Sequence, residues 1–435
     1  MNNSRIRAPK GLLIMFCSLT FIGFNANSYD ENSYDENSYD ENSTEIQARL
    51  TLQQALQLTL KHNSQLAAYP FYIRQLEAQY NQAGISPAAM AEIKLANNTA
   101  TLTLSQSIEL GNKRHARIRL TSAKQLQLQA EFEITKLDIL AETSRRYYQL
   151  LALQKQKVLL STRIGQEQRA LKIIKKRAKA GGVAQADVAT MELGLARSNN
   201  TFEQLKYEIA LQKNWLSAMW LSQGSLSQTH DNAVLGSLSK LPILPNKEAL
   251  TQIIKQGIEQ LPDYRYQIAL ARLADQQVAL NKANGRANVN LGLGLRHNDS
   301  NNQQSLVLTA SMPINFSNPN RGRIASAQAG QALSQQQLAD KRLQLSIELN
   351  RIGATLEKEL QQAKEINNRL LPLASELLSS TQKAYRQGQY TVLQWIDAQN
   401  QVFNLEQDLI NSQVRIFTQI LELERILGQS VVSAQ

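Results

Sequence analysis

Two periodicities take turns along this chain. The first has period two. In 99–105, Leu102 and Leu104 share one face, and Thr101, Thr103 and Ser105 share the other. In 289–296, Val289, Leu291, Leu293 and Leu295 oppose Asn290, Gly292, Gly294 and Arg296. In 305–312, Leu306, Leu308, Ala310 and Met312 oppose Ser305, Val307, Thr309 and Ser311. Strict alternation predicts strands. Apolar against small and polar suits a sheet with lipid on one side and water on the other; an ordinary half-buried sheet shows the same pattern. A weaker strand around 91–96 turns at Asn97 and Asn98, giving four strands in two hairpins. Four strands cannot close a barrel, and an open edge in lipid leaves backbone groups unpaired. If these strands span a membrane, several chains must share one barrel.

The second periodicity alternates steps of three and four. It runs through Leu137, Leu140, Ser144, Tyr147 and Leu151, through Leu345, Leu349, Ile352 and Leu356, and through Ile416, Ile420, Leu423 and Leu427. Such seams pack helix against helix. From Lys113 to Lys179 there is no proline, and Gly165 is the one glycine. One helix of about 100 Å is predicted there, at 1.5 Å per residue. Few capping signals stand out, which favours coiled-coil packing over a compact globule. Pro372 is expected to kink or break the third long helix.

The two patterns recur in the same order, as an internal duplication. IELGNKRHARI (108–118) matches INFSNPNRGRI (314–324), with Ile108, Leu110, Arg117 and Ile118 falling on Ile314, Phe316, Arg323 and Ile324. The segment starting at Ala180 matches the one starting at Gln387, with Gly181 on Gly388. Ala55 and Leu56 match Ala249 and Leu250. The expected organisation is a signal peptide over 1–26, an acidic disordered spacer over 27–48, repeat one over 49–234, a proline-containing linker over 235–247, repeat two over 248–429 and a tail over 430–435. Each repeat is a helix, a strand pair and a long helical hairpin.

Composition agrees with long helices: there are 19 glycines and 9 prolines in 435 residues. Arg5, Arg7 and Lys10 precede an apolar run from Gly11 to Gly23, the layout of a secretory leader; an uncleaved anchor and lipidation at Cys17 are the alternatives. YDENS then occurs three times over 29–43, too polar to bury a core. The formal charge is +11. No nucleic-acid motif accompanies it, and the leader argues for export, so nucleic acid is not an expected partner.

The sequence carries no catalytic signature. Cys17 is the single cysteine, so the mature chain holds no disulfide or thiolate metal site. His62, His115, His230 and His297 do not pair at ligand spacing. There is no HExxH, Walker loop or GxSxG. Gly292 and Gly294 alternate with leucines inside a strand and do not form a dinucleotide loop. No catalysis, cofactor or bound metal is expected. The basic run Arg169, Lys172, Lys175, Lys176, Arg177 and Lys179 reads as a solvated helix face or a docking surface. Trp215 and Trp220 read as packing residues.

With the repeats aligned, the chain resembles the TolC-like outer-membrane efflux proteins over about 50–428. SQSIELGNKRHARI (105–118) is similar to the strand-to-helix junction of the CzcC-type heavy-metal branch. AYRQGQYTVLQWIDAQN (384–400) and GGVAQADV (181–188) are similar to the tips of the two helical hairpins. The resemblance implies a mixed α and β, two-repeat fold in which long helical hairpins form a periplasmic tunnel. Four strands per chain would join a homotrimeric 12-stranded transmembrane barrel in outer-membrane lipid. It implies a passive conduit of a tripartite efflux system, docked on a periplasmic adaptor and driven by an inner-membrane resistance-nodulation-division pump. Heavy-metal cations are the expected cargo. The alternatives are multidrug efflux, type I secretion, or a periplasmic coiled-coil protein without a pore. Tip residues follow from the same resemblance. Asp397, Gln394 and Asp187 stand at tunnel-mouth positions, and glutamine at 394 makes one acidic ring the expectation. Val183, Ala184, Thr391, Val392 and Leu393 stand at adaptor-contact positions. Gly181, Gly182 and Gly388 form the turns, where glycine reaches left-handed backbone most cheaply.

Overall fold

A computed structural model describes residues 50–220, 234, 236, 238, 257–314 and 318–429. The leader, the YDENS tract, the linker prolines, the Ala249–Leu250 match, Phe316 and the tail lie outside them. Repeat one holds α1 (Leu52–His62), α2 (Ser64–Ala83), β1 (Met90–Ala96), β2 (Thr99–Glu109), α3 (Lys113–Lys179) and α4 (Gln185–Ser217). Repeat two holds a 3-10 turn (Ile258–Gln260), α5 (Pro262–Asn284), β3 (Asn288–Asn298), β4 (Gln303–Ser311), α6 (Arg321–Glu365), a π-turn (Ile366–Leu370), α7 (Leu371–Arg386) and α8 (Val392–Leu427).

The predicted 67-residue helix is present as one element, α3. At Pro372 the chain stays helical, but the helix is divided: α6 passes through the π-turn into α7. Proline cannot donate its share of the helical ladder, and the ladder widens into the π-turn just before it. The expectation of weak caps is corrected. Thr51 with Gln54 and Thr391 with Gln394 each form a full capping box, in which side chain and backbone satisfy each other's first-turn donors. Asn63 caps α2 through the amides of Gln65 and Leu66.

The strands form one antiparallel sheet in the order β1-β2-β3-β4. The registers Leu102↔Leu295 and Leu104↔Leu293, then Leu293↔Leu308 and Leu295↔Leu306, align every leucine on one face. That face is open: Leu95 is 78% exposed, Leu308 77% and Leu295 63%. The polar face is crowded at its centre, with Thr101 and Thr103 buried, while Glu92, Lys94, Ser305 and Thr309 of the edge strands are exposed. A side-chain carbon added to Gly294 would meet the Leu102 carbonyl oxygen at 2.6 Å and Thr103 Oγ1 at 2.7 Å. A packed polar centre and an open apolar face fit a sheet with its polar side turned inward. A water-soluble sheet inverts this arrangement. The outer edges of β1 and β4 pair with no strand among the described residues.

Below the sheet the helices pack along the predicted seams. Leu349, Ile352 and Leu423 are fully buried in one cluster with Ile258, Leu261 and Tyr264. Tyr147, Leu150 and Leu151 of α3 meet Leu205, Ile209 and Leu216 of α4 and Phe417 of α8 in another. Among the described residues, no helix is long and apolar enough to cross a membrane. Trp220 packs against the second cluster. Trp215 departs from its expected packing: it is 47% exposed, with the Arg146 guanidinium 5.8 Å from its ring.

Candidate functional site

The two hairpin tips come together at the far end of the long helices, and the duplication is visible in their backbones. After α3, the Gly182 amide donates to the Arg177 carbonyl; after α7, the Gln389 amide donates to the Ala384 carbonyl. Gly181 (φ 77°) and Gly388 (φ 78°) take the left-handed position between. This is the Schellman ending, which satisfies the last helical carbonyls. Gly182 is not in left-handed backbone; Gln389 holds the matching place in the other tip.

Beyond the turns, Ala184 holds the N-cap position of α4 without a side-chain bond, and Thr391 caps α8. Asp187 and Gln394 therefore hold the same third position of their helices. Gln394 is committed to its cap: its side-chain oxygen accepts the Thr391 amide at 2.9 Å. Asp187 is half-buried in the first turn of α4, where a carboxylate complements the helix dipole. Asp397 is exposed, with no ion pair among the described residues. At 100° per residue it stands about 200° around α8 from the buried Trp395, near the exposed Leu393.

One core joins the tips. Ala170 and Ile174 of α3 and Val188 and Met191 of α4 pack with Tyr385, Val392 and Trp395 of repeat two. Val392, only 2% exposed, is thus a core residue and not a surface contact. Val183 leans on the same core, while Ala184, Thr391 and Leu393 are exposed. Arg177 supplies a polar clasp. It donates to the Tyr385 and Arg386 carbonyls at 2.9 and 2.7 Å, and its guanidinium lies 4.8 Å from the Tyr385 ring. Higher up, Arg163 joins α3 to α8 through Asn400 at 2.8 Å and the Phe403 ring at 4.4 Å. Sequence reasoning placed Arg177 in an undifferentiated basic run and missed Arg163. A lone arginine opposite a helix C-terminus leaves no spacing signal. The rest of the run, Arg169, Lys172, Lys175, Lys176 and Lys179, is exposed, and Lys175 pairs with the equally exposed Glu192 at 2.6 Å. Among the described residues, no three His, Cys, Asp or Glu side chains gather in a way that would hold a metal ion.

Comparison with known proteins agrees with this architecture. The chain is 21% identical over 430 residues to the cobalt-zinc-cadmium resistance protein CzcC of Cupriavidus metallidurans, spanning 98% of this chain and all of that protein. Its fold is similar to the outer membrane protein VceC of Vibrio cholerae, with a TM-score of 0.71 at 18% identity, over 87% of this chain and 96% of that one. The Campylobacter jejuni CmeC outer membrane channel gives a TM-score of 0.72 at 12% identity, over 88% of this chain and 87% of that one. CusC gives 0.70 at 15% identity, over 87% and 92%. The profile of the family described as outer membrane efflux protein matches residues 75–220 and 253–429, one segment in each repeat. With well over half of its length matched, the chain belongs to the outer membrane efflux protein family.

Proposed function

We propose that three copies of this chain form the outer-membrane channel of a tripartite efflux system, a passive conduit whose cargo is heavy-metal cations. The strands lie in the outer membrane and the helices form the periplasmic part. The observation that carries the proposal is the sheet. It has lipid-ready leucines outside, crowded threonines and glycines inside, and two open edges. Backbone groups left unpaired in lipid cost several kcal/mol each, so β1 of one copy pairs with β4 of the next until a ring closes. Three copies give twelve strands. The α3 helix then reaches about 100 Å below the barrel, at 1.5 Å per residue, and carries the tips to a periplasmic adaptor and an inner-membrane pump.

Metal cargo is supported by the full-length likeness to CzcC and by the exposed Asp397, which we place on the lumen of the tunnel mouth. A ring of carboxylates there draws cations. The exposed bases of α3 work against it, and we assign them to the adaptor side. Deleting the gene tests the cargo. Sensitivity to cobalt, zinc, cadmium, nickel, copper or silver, without sensitivity to dyes and antibiotics, is the expected result. Sensitivity to dyes and antibiotics alone would replace metals by drugs and leave the channel standing.

A further inference from the structure

Where strands give way to helices, the chain has lost its acids. None occurs between Glu109 and Glu131, between Asp275 and Asp299, or between Asp299 and Asp340. The bases remain. Arg114 and Arg119 lie in the first two turns of α3, Arg321 and Arg323 open α6, and Arg286 stands between α5 and β3. All five are exposed, and among the described residues none makes an ion pair or side-chain hydrogen bond. Arg117, at the same level, shows what pairing looks like here. It grips both oxygens of Glu109 at 2.6 and 2.9 Å and the carbonyls of Ala83 and Ile85 at 3.2 and 3.1 Å.

The direction of Arg119 follows from the helix. Lys113 bonds Asn288, and Arg117 bonds Glu109, both on the polar face of the sheet. At 100° per residue Arg119 lies about 160° from Arg117, so it points away from that face. The lower border of the apolar face is marked by Ile108 and Ile314, both exposed. Arg119 lies about 9 Å along the helix from Lys113, at 1.5 Å per residue. A headgroup layer is about 5–7 Å deep on each side of a bilayer, within reach of an arginine side chain from these turns. The periplasmic leaflet of an outer membrane is phospholipid.

From this we infer that the arginines of the strand-to-helix junction form a binding belt for the phosphates of anionic phospholipids in the periplasmic leaflet. Guanidinium matches phosphate oxygens in bidentate fashion, and basic clusters bordering a membrane attract anionic headgroups. Both repeats supply the belt, so it would encircle the assembled channel. The inference rests on the outer-membrane placement of the strands.

The test is thermal unfolding of the purified full-length protein in detergent micelles containing phosphatidylglycerol or phosphatidylcholine with the same acyl chains. Phosphatidylglycerol should raise the midpoint by several degrees more than phosphatidylcholine, and high salt should abolish the difference. Arg119→Gln with Arg321→Gln should remove the increment and leave the midpoint in plain detergent unchanged; Arg119→Lys with Arg321→Lys should keep most of it. Equal effects of the two lipids would overturn the belt. So would an increment that survives the glutamine pair or is lost equally in the lysine pair, or one reproduced by inorganic phosphate alone. A failure of membrane placement would show separately, as absence of channel conductance in wild type and variants alike.

Discussion

At the scale of residues, the tips show why two glycines matter and a third does not. Gly388 has φ 78° and open space around a prospective Cβ, so only backbone strain opposes a side chain there. Gly388→Ala should therefore destabilise the tip by about 1–2 kcal/mol, measured as faster local proteolysis or hydrogen exchange. Gly182→Ala should be silent, because that residue is not left-handed and its nearest prospective contact is 3.7 Å away. Arg177→Ala removes two hydrogen bonds to carbonyls and a ring contact; about 1–3 kcal/mol of tip stability should go with them. Glu406 belongs to the same scale. Burial pushes its carboxyl above the usual range, and the Lys155 ammonium partly opposes this. A raised folded-state pKa means that the folded chain binds more protons in the window just above the ordinary carboxylate value. Stability should fall as pH rises through that window. Glu406→Gln should flatten the slope of the unfolding midpoint against pH there; an unchanged slope would refute the assignment.

At the scale of elements, the alternation that predicted the strands also decides which substitutions they tolerate. Leu293 stands among leucines on the open face, and Ser305 lies on the polar face. Leu293→Arg should weaken membrane assembly, by about 2–4 kcal/mol for a charge near the midplane. Ser305→Arg should assemble normally, as judged by the yield of heat-modifiable protein in the outer-membrane fraction. Equal yields would mean that the leucine face does not meet lipid. These elements were legible because each follows from local rules. Period two gave β2 to β4, and the stretch free of proline gave α3 between Lys113 and Lys179. Pro372 marked an irregularity, but its form as a π-turn has no spacing signal in the sequence. The capping boxes were equally local: Thr51 with Gln54 and Thr391 with Gln394 are the expected spacing and were there to be read. The candidate site was less legible. Periodicity across the turn did not show that Val392 is buried, because the core it joins is shared with α3 and α4 of the other repeat. The role of Arg177 likewise depends on residues about two hundred positions away.

At the scale of the molecule, duplication gives one chain two hairpins of each kind, and each repeat's tip is completed by the other's. The paired tips leave Asp397 and Leu393 exposed together on one side of α8. Asp397→Ala should lower the preference of the open channel for cations, seen as a shift in reversal potential under a salt gradient; an unchanged potential would remove Asp397 from the lumen. The central claim is that several copies complete one pore. It is tested most directly by purifying the protein in detergent, determining its mass and recording its conductance in planar bilayers. The account predicts a trimer that opens discrete, stable conductance steps. A monomer that inserts no pore would contradict it.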